Sequence, residues 1–161
     1  MSCVFKSSTV AMVMVLLATI AVAQANRDAK DANPDEPVIH DYILTVDKAR
    51  KYAEIDKKVQ IESKTNPSFA ADFQKVEETS VNMEKAAMIE RSARLAAFFK
   101  RNGTTAHDFI FTPLTILTAA MAISLEDEKK QAPSFVNPVN IKFVREHKDE
   151  LEKMNVFGPD R

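Results

Sequence analysis

The stretch FIFTPLTILTAAMAISL, residues 109–125, runs for 17 residues without a charge and then breaks into the acids of residues 126–128. If it is a helix, Leu117 and Met121 share one face, and Ile116 and Ala120 lie on another, so apolar groups surround most of the axis. A helix that is apolar all round is buried on every side. The stretch therefore predicts the central helix of a bundle, with Leu117 and Met121 inside the core.

A membrane-spanning helix and a peripheral membrane helix are the alternatives for this stretch. Its 17 uncharged residues fall at the lower end of the length that crosses a bilayer, and four threonines or serines dilute its hydrophobicity. No Lys or Arg flanks its start closely. We therefore expect no stable transmembrane span in the mature chain.

Pro113 lies inside the predicted helix, where it removes one backbone amide donor and kinks the axis. A kink can open a pocket between helices. The side chains expected to line such a pocket are Pro113, Thr115, Thr118 and Met121.

The composition favours helices throughout the chain. Two glycines and no tryptophan occur, whereas Ala, Lys, Glu and Met are plentiful. We predict an all-α fold, a compact antiparallel helical bundle of four long helices and one short helix that occupies residues 41–157. The predicted helices cover residues 45–64, 68–78 (the short one), 81–103, 105–130 and a last segment that begins at Asn137 and Pro138.

Helix ends and core positions follow from local patterns. Thr45, Thr105 and Asn137 are predicted N-caps, and Gly103 supplies a left-handed stop. Apolar residues recur at helical spacing. The predicted core positions outside the central helix are Phe69, Phe73, Val76, Met88, Leu95, Phe99, Ile141, Val144 and Leu151, with Phe143 beside them.

The N-terminus is typical of a secretory signal peptide. One cation, Lys6, precedes an apolar run over residues 10–23 that is too short to span a bilayer, and small residues follow. We predict a signal peptide over 1–25, cleaved after Ala23 or Ala25, and then a flexible lead-in over 26–40. The chain is expected in the periplasm or outside the cell.

Several chemistries are excluded by composition. Cys3 is the single cysteine and leaves with the signal, so the mature chain has no disulfide, thiolate or Cys-ligated metal. A net charge of -1 gives no electrostatic basis for binding nucleic acid. Two glycines can hardly form a phosphate-binding loop.

The three histidines do not form a recognisable metal site. His40, His107 and His147 each lack a Glu three positions earlier, so the Glu-x-x-His motif of di-iron bundles fails. We predict no catalytic residue, no metal and no cofactor. A noncovalent haem held by Met and His is an open alternative, because Met83, Met88, Met121 and Met154 are available.

Three stretches carry a family resemblance: DYILTVDKARKYAE at 41–54, RNGTTAHDFIFT at 101–112 and NPVNIKFVREHKDELEKM at 137–154. Together they resemble a group of small, uncharacterised secreted helical proteins of soil bacteria. The resemblance implies export and a helical domain, and it implies no activity or functional residues.

These observations favour an exported, non-enzymatic helical protein that binds a protein or another component of the cell envelope. The alternative is a bundle that binds a small ligand or haem in a pocket beside Pro113. An enzyme of unrecognised type is the third hypothesis.

Overall fold

Helices make up 76% of residues 33–156, the part of the chain that the computed structural model describes, and no strand occurs there. The all-α prediction is therefore confirmed. The predicted signal peptide and its cleavage sites lie outside the described residues. The helices are α1 (Glu36–Asp41), α2 (Val46–Thr65), α3 (Pro67–Glu77), α4 (Asn82–Arg91), α5 (Ala93–Arg101), α6 (Ala106–Asp127), α7 (Pro138–Glu146) and α8 (Lys148–Met154).

Side-chain caps begin the helices at the predicted places. Thr45, Thr105 and Asn137 each accept a hydrogen bond from a backbone amide in the first turn of α2, α6 and α7, at 3.2, 2.9 and 2.9 Å. Just beyond the C-terminal end of α5, Gly103 has a φ of 68°, a backbone angle that residues with a side chain adopt only with strain. Local chemistry alone therefore fixes these ends.

Two of the predicted long helices are each divided in two. The segment 81–103 breaks at Ser92, whose ψ of 110° is extended and whose hydroxyl accepts a hydrogen bond from the Leu95 amide at 3.4 Å. The last helix breaks at His147. Serine is a better N-cap than an interior helical residue because its hydroxyl competes for backbone groups. The prediction of four long helices and one short helix is corrected accordingly.

The predicted flexible lead-in is folded at its C-terminal end. Residues 36–41 form α1, and Ile39 is buried. The buried carboxylate of Asp35 accepts hydrogen bonds from the backbone amides of Asn82 and Met83, both at 2.9 Å, and so caps α4 from a distant part of the chain. The lead-in prediction is wrong for this end, and residues 26–32 lie outside the described part.

Residues 34–156 belong to one compact unit, and α6 belongs to both of its hydrophobic clusters. One cluster combines Phe111, Ile116 and Ala119 of α6 with buried residues of α7 and α8. The other places Phe109 among residues of α2, α3, α4 and α5. Of the predicted core, Phe69, Val76, Leu95, Phe99, Ile141, Val144 and Leu151 are buried, and Phe73, Met88 and Phe143 are partly buried.

The prediction that Leu117 and Met121 lie in the core is wrong. Leu117 is 54% exposed and Met121 is 57% exposed. The helix packs against α7, α4 and α2, which cover one side of it and leave the opposite side open. An apolar pattern all round a helix permits burial on every side, but the number of neighbouring helices decides how much of the surface is covered.

Candidate functional site

An apolar line runs along the uncovered side of α6. We call Ile110, Pro113, Leu114, Leu117 and Met121 the α6 stripe; each lies three or four residues from at least one other member, so they share one face. The first three are partly buried, and the last two are largely exposed. The stripe therefore changes along its length from a partly enclosed surface to an open one.

A cleft encloses the first part of this stripe. Its volume is about 440 Å³, within the range typical of small-molecule sites. Residues of α2, α3, α4 and α6 line it: Tyr52, Asp56, Phe73, Val76, Glu77, Asn82, Lys85, Phe109, Ile110, Pro113, Leu114, Leu117 and, after α8, Val156. Because Leu117 belongs to both, the cleft and the exposed end of the stripe are continuous.

Three aromatic rings form part of the cleft wall. The Phe109 ring lies 5.6 Å from the Tyr52 ring and 6.2 Å from the Phe73 ring, measured between centroids. The second pair meets edge to face, an arrangement that aromatic quadrupoles favour. The rings come from three helices that bury their other sides in the core, so the wall is held in place by packing.

Two polar side chains of the cleft, Tyr52 and Asp56, lie one helical turn apart on α2. Burial raises the pKa of Tyr52 to about 12, with the nearby Asp56 charge adding to the effect. Burial also raises the pKa of Asp56, opposed by a hydrogen bond from the side chain of Gln60. That bond, at 2.7 Å, joins Asp56 to the next turn of its own helix. The Tyr52 hydroxyl makes no hydrogen bond with another described residue.

The charged groups of the cleft are left uncompensated by the fold. Asp56, Glu77 and Lys85 all line it, and none of them forms an ion pair with another residue of the described part. Two carboxylates therefore accompany one ammonium group. Most other charged side chains in this region are paired along a helix, as Lys58 and Glu54 are at 2.6 Å.

Of the four residues expected to line a pocket, the structure places one in the cleft. Pro113 lines it, and the pocket predicted beside this proline stays a prediction. Thr115 is instead fully buried, and its hydroxyl has no hydrogen-bond partner among the described residues. Thr118 donates to the Thr115 carbonyl at 3.1 Å, and Met121 lies on the open end of the stripe.

Most of the cleft comes from residues that the sequence did not assign to a pocket. Tyr52, Asp56 and Phe73 belong to α2 and α3, far from α6 in the chain. The i, i+4 spacing of Tyr52 and Asp56 placed them on one helical face. Only the packing of α2 against α6 shows that this face meets Pro113.

A second group of polar residues lies around Tyr42. The Tyr42 hydroxyl donates to Asp108 Oδ1 at 2.8 Å and shares a hydrogen bond with Thr112 Oγ1 at 2.7 Å. Asp108 accepts the Thr105 hydroxyl at 2.8 Å, and Lys48 Nζ lies 4.0 Å from the centroid of the Tyr42 ring. Burial raises the pKa of Tyr42 well above its ordinary value.

Internal hydrogen bonds already occupy the polar atoms of this second group. Lys48 Nζ donates to the Ile43 carbonyl at 3.0 Å. The buried Asn140 side chain donates to the Tyr42 carbonyl at 2.7 Å and accepts the Leu44 amide at 3.0 Å. Through these hydrogen bonds the group holds the 42–45 segment against α6 and α7.

Within residues 33–156 no group of three His, Cys, Asp or Glu residues could hold a metal ion. His147 pairs with Glu150 at 3.3 Å, and His107 stacks on Phe111 with ring centroids 4.6 Å apart. The described lining of the cleft contains no His, Met or Cys. Among these described residues, Tyr52 is of a type that can ligate a haem iron, and the Met and His ligands of the haem hypothesis do not line the cleft.

By length and composition α6 could cross a membrane, since an 18-residue window within its 22 residues has a mean hydropathy of 1.7. In this fold 39% of that apolar window is buried against other helices. Core helices of water-soluble proteins pass the same test of composition, so this feature is weak support for a span.

Comparison of the chain with protein-family models, curated proteins and solved structures found no match. The resemblance to secreted helical proteins of soil bacteria therefore stays a prediction.

Proposed function

We propose that this chain is an exported helical protein of the cell envelope that works by binding a partner and catalyses no reaction of its own. The observation that carries the proposal is the exposure of Leu117 and Met121, at 54% and 57%, in direct continuation of an apolar cleft. Large apolar side chains in a row on a soluble surface mark interaction sites.

The shape of the surface supports a partner of extended form. From Ile110 to Met121 the stripe spans three turns of α6, which is roughly 16 Å at the usual helical rise. Its first part lies in the cleft, and its second part is open. A partner can therefore place one side chain in the cleft while the rest lies along the open surface, as groove-binding segments do.

Export is supported by the layout of residues 1–25, with a cation, an apolar run and small residues in order. We expect protein recovered from the export compartment to begin at Gln24 or Asn26, which intact mass measures. A recovered species that retains residues 1–23 would contradict export with cleavage.

Site-specific photo-crosslinking in cells that express the chain tests the binding function. A photo-reactive amino acid replaces Leu117 or Met121, and Ile61, which is 63% exposed on α2, serves as the control. We expect a discrete covalent adduct at the two stripe positions and none at Ile61. Equal crosslinking at all three positions, or none at the stripe, would contradict the proposal.

A small-ligand binding protein is the second candidate function. The volume of the cleft, about 440 Å³, and its mainly apolar lining beside Pro113 favour it. This candidate and the first use the same surface, because Leu117 belongs to both the cleft and the exposed stripe.

A further inference from the structure

We propose that the cleft binds an amphiphilic organic cation, an alkyl- or arylammonium compound whose apolar part lies on the aromatic wall and whose positive group lies beside Asp56 and Glu77. The inference rests on the proposed binding function and adds the chemical class of ligand to it. Size, wall chemistry and charge all support it.

The apolar part of the ligand has a suitable surface in the cleft. Tyr52, Phe73 and Phe109 contribute rings, and Pro113 and Leu114 contribute aliphatic surface. Burying such groups against an apolar ligand is favourable in proportion to the area removed from water. A volume of about 440 Å³ accommodates an organic molecule and is much larger than a single inorganic ion needs.

The carboxylate of Asp56 favours a ligand whose polar group is positively charged. Asp56 is partly buried; among the described residues its carboxylate accepts a side-chain hydrogen bond from Gln60, at 2.7 Å, and forms no ion pair. Removing an anion from water without a counter-ion is unfavourable, and this burial is what raises the Asp56 pKa. A ligand cation beside this carboxylate would replace the missing counter-ion.

The neighbouring groups strengthen this selection. Glu77 adds a second carboxylate, and aromatic rings attract cations through their quadrupoles. Lys85 acts in the opposite direction, but it is one positive group against two negative ones. An anionic amphiphile would therefore meet net repulsion, and a neutral one would gain only the apolar contact.

Three probes with the same eight-carbon tail separate these cases: octyltrimethylammonium, octanol and octanoate. Each is titrated into the chain as purified from expressing cells, and binding is followed by calorimetry and by NMR shifts of cleft residues. We expect the cation to bind about fivefold or more tightly than octanol, the factor that a cation near aromatic rings and a carboxylate contributes. We expect octanoate to bind most weakly.

Matched variants locate the effect. In Asp56→Asn the preference for the cation over octanol should fall by about twofold or more, whereas octanol itself should bind as before. Asp127→Asn removes an exposed acid that does not line the cleft and should leave all three affinities unchanged. Phe73→Leu keeps the charges and should weaken all three probes.

Several outcomes would overturn the inference. These are equal binding of the cation and octanol, tightest binding of octanoate, failure of all three probes, or an Asp127→Asn effect as large as that of Asp56→Asn. Crosslinking at Leu117 and Met121 uses no amphiphile, so it can succeed when the probes fail. In that case the binding function stands and the cation site does not.

Discussion

Ile116 and Leu117 are neighbours on α6 and have similar hydrophobicity, but they have opposite environments. Ile116 is 1% exposed in the core, whereas Leu117 is 54% exposed at the mouth of the cleft. Successive residues of a helix point about 100° apart, so a single step along the chain moves from the covered side to the uncovered one. The comparison shows that one uniformly apolar helix supplies both the core and the proposed binding surface.

On the buried side of α6, two threonines one turn apart differ in whether their hydroxyl is hydrogen-bonded. Thr112 shares a hydrogen bond with Tyr42 at 2.7 Å. One turn later Thr115 is equally buried, and its hydroxyl is unpaired among the described residues. Removing the hydroxyl at Thr112 and at Thr115 should therefore change the free energy of unfolding in opposite directions.

The largest difference is expected between Ile116→Ala and Leu117→Ala. The first leaves a cavity in the core and should lower the free energy of unfolding by roughly 2–5 kcal/mol, whereas the second should lower it by less than about 1 kcal/mol. Urea denaturation followed by circular dichroism measures both. If Leu117→Ala has the larger effect, the assignment of the two faces is wrong.

Tyr42→Phe should lower the free energy of unfolding by about 1–3 kcal/mol, because it leaves the buried Thr112 hydroxyl without its partner. Tyr52→Phe is the matched control, because the Tyr52 hydroxyl makes no hydrogen bond with another residue of the described part. Its effect should stay within about 0.5 kcal/mol. Equal effects at the two positions would contradict the assignment of a hydrogen bond to the Tyr42 hydroxyl but not to the Tyr52 hydroxyl.

The same two variants also test the pH dependence of stability. Burial raises the pKa of both tyrosines in the folded state, to about 12 for Tyr52, so folding favours their protonated forms. This contribution to stability is complete below the unfolded pKa of about 10 and is lost as pH rises above it. Denaturation between pH 9 and 12 should show a decline that Tyr42→Phe reduces; an unchanged slope in that variant would contradict the assignment.

Thr115→Val should change stability in the opposite direction. Valine has nearly the same shape and removes a buried hydroxyl that has no partner among the described residues, so we expect a gain of about 1 kcal/mol. Thr112→Val, which breaks a bond with Tyr42, should instead be destabilising. Thermal melts of both variants provide the measurement, and a loss of stability in Thr115→Val would show that the hydroxyl is satisfied in solution.

The smallest effect on folding is expected from Leu117→Lys. The new ammonium group can reach water from this exposed position, so the unfolding free energy should change by less than about 1 kcal/mol. The same change at Ile116 would bury an unpaired charge and should unfold the domain. A folded Ile116→Lys variant, or an unfolded Leu117→Lys variant, would reverse the comparison on which the proposed binding surface depends.

The amino-acid sequence by itself determined the all-α class and several helix ends, but it did not reveal α1 or the breaks at Ser92 and His147. Some helix ends depend only on hydrogen bonds and backbone angles within a few residues, so the sequence predicts them without knowledge of the fold. These are the ends at Thr45, Thr105, Asn137 and Gly103. Periodicity identified core residues on the amphipathic helices, such as Leu95 and Val144. The expected kink at Pro113 predicted a pocket there, but the sequence could not supply the cleft residues that α2 and α3 contribute.

Only the tertiary structure decided which side of α6 is covered. The apolar residues on its two sides are alike, so the pattern contains no information about the position of neighbouring helices. Packing of α2, α4 and α7 on one side buries Ile116 and leaves Leu117 and Met121 open. The same packing brings Asp56 of α2 to the cleft beside Pro113, across a separation in sequence that no local interaction spans.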